Sequence, residues 1–151
     1  MNFEIRLATP EDAPYLLRSI ESYFAYDGIH FDSVKVPVSL QLLLTREDIG
    51  RAWIVRVDQK PVGYAIVGFG FDLEFGGRQA TLTDLFIEPA FRGKGIGAAT
   101  LQHVEKACLT WGVNAIELQA ETDNSEALSL YEKQGFKRHT RIPMSKRLTS
   151  T

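Results

Sequence analysis

Arg92, Gly93, Lys94, Gly95, Ile96, Gly97 and Ala98 follow a strand-like apolar run and lead directly into a helical pattern over residues 97–111. Three glycines alternating with Lys94 and Ile96 let the backbone bend sharply and aim several N–H groups at one point. The helix adds roughly +0.5 of an elementary charge at its N-terminus, and Arg92 and Lys94 bring full charges. This combination is suited to a diphosphate. A nucleotide P-loop is excluded, because Gly93-Lys94 is followed by Gly95 rather than by a magnesium-binding hydroxyl. A dinucleotide-binding turn is excluded as well, because the last interval of G-x-G-x-x-G is missing. What remains is Arg-x-x-Gly-x-Gly, from Arg92 to Gly97.

A second segment lies downstream. Asn124 begins a short helical stretch that contains Ala127 and runs through Leu130, Tyr131, Glu132, Lys133 and Gln134 to Gly135 and Phe136. Together, in this order and with a helix and a strand between them, the two segments resemble the GNAT superfamily of N-acetyltransferases. The resemblance covers nearly the whole chain and is strongest over residues 81–136. It implies that acetyl-coenzyme A is the co-substrate. Its pyrophosphate would lie on Arg92, Gly93, Lys94, Gly95, Ile96, Gly97 and Ala98, its pantetheine arm along the backbone of Leu85, Phe86 and Ile87, with Asn124 as a further contact. Asn124 is equally an ordinary helix N-cap.

Acetyl transfer to an amine needs a neutral nucleophile, stabilisation of an oxyanion and a proton for the departing thiolate. The resemblance gives the proton to Tyr131, whose phenol, with an ordinary pKa of ~10, is protonated at neutral pH. Packing of Tyr131 against Leu128 and Phe136 is the structural alternative. A Lys-like amine at pH 7 lies about three units below its pKa, so its deprotonation costs roughly 4 kcal/mol. Asp84 is the candidate base that could share this cost, because it interrupts the apolar strand around Leu82, Leu85 and Phe86, where an isolated acid is otherwise unfavourable. Related sequences often carry Glu at or beside this point, and a solvated or paired Asp84 is the structural alternative. Glu88 and Glu117 are the weaker candidates for the base.

The resemblance implies that the acceptor is framed by residues 23–32 and 70–77. Asp27, Asp32, Asp72 and Glu74 fall in these segments beside Tyr23, Phe24, Tyr26, Phe31 and Phe75. Carboxylates and aromatic faces together favour a cationic amine. A non-catalytic acyl-coenzyme A sensor of the same fold is the alternative to an enzyme.

The elements that must hold these groups follow from periodicity. Strands are expected at residues 3–7, 52–57, 62–67, 80–88 and 115–120, with hairpin turns at 58–61 and 74–78. Thr9 and Pro10 start a helix whose core face is Ala13, Leu16, Leu17, Ile20 and Phe24. Residues 38–44 form a second helix, 97–111 a third ended by Gly112, and 124–134 a fourth. Residues 136–148 are expected to supply closing strands. The class is α/β (α+β): a mixed, mostly antiparallel sheet of six to seven strands flanked by about four helices. The resemblance adds a splay between the fourth and fifth strands.

The chain has 151 residues, enough for a single domain over 1–151 that buries roughly 70% of the surface its unfolded form exposes. Seventeen basic and 19 acidic residues give a net charge of −2, with no basic stripe, so nucleic acid is not an expected partner. The first residues lack a secretory pattern, and residues 61–71 are too short and glycine-rich to span a bilayer, so the expected location is cytoplasmic. His30, His103 and His139 show no ligand-like spacing with Cys108, so no metal is expected. Cys108 lies on the stripe of Leu101, Val104 and Trp111, where a buried thiol is expected. Edge strands near the C-terminus make a homodimer plausible.

Overall fold

The computed structural model describes residues 2–149. The chain divides into two compact units, Met1–Gln119 and Ala120–Thr151.

The first unit is built on a five-stranded sheet in the order β1 (Phe3–Leu7), β2 (Gly50–Val57), β3 (Lys60–Asp72), β4 (Gly77–Ile87) and β5 (Ala115–Leu118). Neighbours run antiparallel except β4 and β5, which are parallel because the helix α3 (Ile96–Thr110) crosses over between them. Helices α1 (Ala13–Tyr26) and α2 (Lys35–Thr45) pack on one face, where Leu16, Ile20, Leu40, Ile54 and Tyr64 form a buried cluster joined by Phe86. On a second cluster, Ile96 of α3 meets Val55, Val57, Val62 and Ile87. The alternation of β4 explains the division: Asp84, Phe86 and Glu88 share one face, and Leu85 and Ile87 the other.

The turns behave as their sequences require. Asp58 and Gln59 both take positive φ, 48° and 68°, between β2 and β3, which is the twist a two-residue hairpin turn demands. Gly112 ends α3 at φ 74°, as the sequence indicates. Trp111, the last residue before it, stacks on Trp53 at 5.8 Å and meets Phe69 edge-on at 6.0 Å, which fastens the end of α3 to the sheet. Cys108 is buried, and burial pushes its thiol up to about 11, so it is an inert core group.

The second unit contains the helix α4 (Ser125–Lys133). Asn124 caps it, its Oδ1 accepting the Ala127 N–H at 3.1 Å. At the other end the Phe136 N–H donates to the Tyr131 carbonyl at 3.0 Å and the Gly135 N–H to the Glu132 carbonyl at 3.1 Å. These are the two bonds of a Schellman ending, and its customary apolar contact is the Tyr131 ring against Phe136, 5.9 Å apart and edge to face.

One expectation fails. Residues 136–148 form no strand, so the described sheet has five strands rather than six to seven. Arg141, Pro143, Lys146 and Arg147 break the alternation there: proline removes a ladder donor, and no sustained apolar face exists to bury. No helix among the described residues is long and apolar enough to cross a membrane.

Candidate active site

The site of the first unit is made where β4 outlasts its neighbour. β5 pairs with residues 79–82 only, whereas β3 continues to pair with β4 as far as Ile87. Among the described residues, 83–87 are therefore without a strand on the β5 side, which is the expected splay. The register against β3 slips at the same point: Ile66 is opposite Asp84 and Val67 opposite Leu82, so Thr83 is an extra, bulged residue. A bulge bends its strand, and this one falls where pairing with β5 ends and immediately before Asp84.

The backbone groups that face the gap follow from antiparallel alternation. The Glu88 N–H donates to the Val62 carbonyl at 2.8 Å, so Glu88 and Phe86 direct their amides toward β3. Leu85 and Ile87 direct theirs outward. Of the three residues expected to offer backbone to an incoming chain, Phe86 thus contributes its ring instead.

Beyond Ile87 a single 3-10 turn (Pro89–Phe91) leads into the glycine loop. Arg92 Nε donates to the Ile87 carbonyl at 2.7 Å, and its guanidinium carbon is 5.7 Å from the centre of the Phe86 ring. This side chain therefore ties the loop to the end of β4 and takes the outward carbonyl of Ile87. Gly93 and Gly95 adopt left-handed φ values of 74° and 81°. Gly95 is also the N-cap of α3, which no side chain caps. The first N–H groups of the helix, those of Ile96, Gly97 and Ala98, thus have no intrahelical partner. A Cβ built on Gly93 or Gly95 meets nothing within 4 Å, so space is open in front of the loop. Gly97 lies inside the first turn of α3 and is not left-handed. Lys94 holds its ammonium 5.7 Å from the Phe91 ring. An open, uncapped, cationic helix start beside an unpaired strand edge fits a diphosphate with an extended arm.

Asp84 stands on the α1 side, half-buried, and accepts a hydrogen bond from the Tyr64 hydroxyl at 2.8 Å. Burial raises its pKa, the bonds from Tyr64 and Thr83 oppose this, and Asp27 at the end of α1 adds to it. Burial likewise pushes the Tyr64 phenol far above its ordinary value, with Asp84 reinforcing the shift. A second pair of the same kind lies nearby: Tyr15 of α1 donates to Glu88 at 2.9 Å, and burial raises its phenol too. Tyr23 approaches Phe86 at 6.4 Å. Tyr64 and Tyr15 carry no signal in the sequence, since each reads as one more apolar residue in a core pattern.

The remaining expected residues are distributed differently. Asp32 Oδ1 accepts the N–H groups of Val34 and Lys35 at 2.9 and 2.8 Å, which starts α2. Asp72 Oδ1 accepts the Glu74 N–H at 2.9 Å in the β3–β4 turn. Both acids thus serve their own turns. The tip of the 70–77 hairpin, at Gly77, is also seven residues along β4 from Asp84, on the order of 20 Å. Of the four acids, Asp27 is the one whose charge acts on Asp84. Of the weaker base candidates, Glu88 is held by Tyr15, and Glu117 accepts Gln79 Nε2 at 3.1 Å.

In the second unit, Tyr131 is half-buried, and burial raises its phenol above the ordinary value. Its hydroxyl has no hydrogen-bond partner among the described residues, and only the ring is fixed, by Phe136.

Residues 15–136 match the acetyltransferase (GNAT) family, and the chain belongs to that family. It is 25% identical over 136 residues to an uncharacterized N-acetyltransferase of Methanocaldococcus jannaschii, covering 89% of this chain but only 60% of the archaeal protein's length. It is 27% identical over 143 residues to the thialysine N-epsilon-acetyltransferase of Bos taurus, covering 87% of this chain and 82% of the bovine one. Among solved structures, an integron cassette protein from the mobile metagenome of Cole Harbour Salt Marsh superposes with a TM-score of 0.86 at 29% identity, over 97% of this chain and 91% of that one.

Proposed function

We propose that the chain is an acetyl-coenzyme A-dependent N-acetyltransferase, acting as one functional domain over residues 1–151, in which a primary amine attacks the thioester directly. The observation that carries this reading is the unpaired end of β4 running into the uncapped start of α3. Family membership supports it, as does the open space before Gly93 and Gly95. Acetyl-coenzyme A supplies the activated acetyl group. Arg92, Gly93, Lys94, Gly95, Ile96, Gly97 and Ala98 hold its diphosphate, the outward backbone of Leu85 and the outward N–H of Ile87 meet its arm, and Asn124 adds a contact through the amide nitrogen its capping role leaves over. Asp84 takes the proton of the attacking amine, and burial, which raises its pKa, makes it a stronger base than an exposed aspartate. Tyr131 gives a proton to the thiolate. We place the reaction in the cytoplasm and take the active species to be a homodimer.

The acceptor is a cationic small molecule. The combined charge of Asp27 and Asp84 and the aromatic rings of Tyr23 and Phe86 support that class, and so does the acceptor that names the bovine relative. Thiol release from acetyl-coenzyme A with a panel of amines tests the function, and binding without turnover by any of them would leave a sensor instead. Within the panel, cationic amines such as thialysine are expected to outrun neutral and acidic acceptors. Their advantage should shrink between low and high salt as the carboxylates are screened. Preference for an acidic acceptor would rule the class out.

Gly95→Val is expected to weaken acetyl-coenzyme A at least tenfold by calorimetry, about 1.4 kcal/mol. The cause is conformational rather than steric crowding within the protein: φ 81° is strongly disfavoured for a β-branched residue, and the Cβ would project into the open space that the phosphates need. Unchanged binding by the folded variant would remove this loop from the site.

A further inference from the structure

We infer that Tyr64 is a positioning residue that holds the Asp84 carboxylate in the plane and protonation state its reaction requires. The inference rests on the reading of Asp84 as the base. It begins from an unusual placement: a tyrosine with 0% exposure in the middle of a core cluster, spending its only polar atom on a carboxylate of the adjacent strand, 2.8 Å away. The ring cannot turn aside. It lies 5.8 Å from Phe86 and is enclosed by Leu16, Ile20, Leu40 and Ile54. Its hydroxyl is therefore fixed at the point where the Thr83 bulge delivers Asp84.

The surroundings make this hydroxyl a permanent donor. Asp84 itself, together with Tyr23 and Tyr15 of α1, disfavours a phenolate at Tyr64, in addition to burial. The groups that face Asp84 within this unit are Tyr64 from β3, Thr83 from its own strand and Asp27 from the end of α1, while Glu88 is engaged by Tyr15. Among them Asp27 and burial favour the protonated carboxyl, and the two hydroxyls favour the ionised one. Tyr64 provides the larger effect and the better buried donor, since Thr83 is exposed and its Oγ1 also lies 3.5 Å from the Ile66 carbonyl. Tyr64 thus keeps a half-buried carboxylate ionised enough to accept a proton, without contacting the substrate.

The test is a carbon-13 titration of the aspartate carboxyls in the full chain, with the Asp84 resonance assigned through Asp84→Asn. It needs no acceptor. In Tyr64→Phe, which keeps the shape of the ring, the Asp84 midpoint is expected to move up by about one pH unit or more, the consequence of losing a hydrogen bond to the charged form. The acid limb of turnover, followed with acetyl-coenzyme A and thialysine or the best amine of the panel, should move with it. A merely structural tyrosine would lower the melting temperature and leave the midpoint where it is. If Tyr64→Phe does not fold, 3-fluorotyrosine at position 64 provides the converse: a stronger donor of nearly the same shape, which should lower the midpoint. An Asp84 midpoint unmoved by the variant that folds would overturn the inference. Failure of the enzymatic reading looks different, since the native protein would then release no thiol with any amine.

Discussion

Tyr131→Phe is expected to lower turnover by roughly 10²-fold or more while acetyl-coenzyme A affinity stays close to native. The physical reason is that a phenol proton acts on charge that appears only as the thiolate departs, so the ground-state complex does not feel its loss. Local structure makes the substitution clean. The Tyr131 ring is held edge to face by Phe136 in the helix ending, and a phenylalanine ring keeps that contact. The hydroxyl has no partner among the described residues, so its removal orphans no other group. Burial raises the phenol further, which keeps the donor protonated across the working pH range. Single-turnover measurement of thiol release separates this step from product release, and an unchanged rate would take Tyr131 out of the mechanism.

Asp84→Asn should also cost about 10²-fold or more in turnover with a cationic amine at neutral pH, because the proton acceptor is gone while its shape is kept. Loss should be smaller at high pH, where part of the amine is already neutral. The same variant is expected to be more stable than the native protein, and the sign follows from linkage. Burial raises the folded-state pKa of Asp84 above its unfolded value, so the folded state binds its proton more tightly. That contribution is present at acidic pH and is lost as the pH rises through the folded pKa, where a half-buried carboxylate must ionise. Asparagine never ionises. Thermal melts should therefore show Asp84→Asn above the native protein at pH 7, with the gap closing as the pH falls. An active variant, or one less stable at pH 7 than at acidic pH relative to native, would contradict the assignment of a strained carboxylate base.

The local elements were legible because their signals are local. Alternation in residues 3–7, the apolar stripe from Ala13 to Phe24, the glycine loop and the stop at Gly112 each depend on a few neighbouring residues, and each stands where the pattern indicates. Gly93 and Gly95 are a case in point: a left-handed backbone before a helix leaves its mark on the residue type itself. Residues 136–148 mark the limit of this reasoning, since strand pairing depends on a partner elsewhere and no local pattern supplies one.

The chemistry was legible as residue types and not as partners. Asp84 stood out as an acid in an apolar strand, but that it is half-buried, raised and hydrogen-bonded by Tyr64 follows from a cross-strand register that slips by one residue at Thr83. Asp27, Asp32, Asp72 and Glu74 look alike in the sequence. Tertiary structure separates them: Asp32 and Asp72 are consumed by their own turns, whereas Asp27, at the end of α1, acts through its charge on Asp84. Sequence determines which groups are available and which backbone shapes they favour, because those are properties of single residues and short stretches. Which carboxylate is raised, which hydroxyl holds it and which strand edge is left open are properties of distance and burial, and only the folded chain decides them.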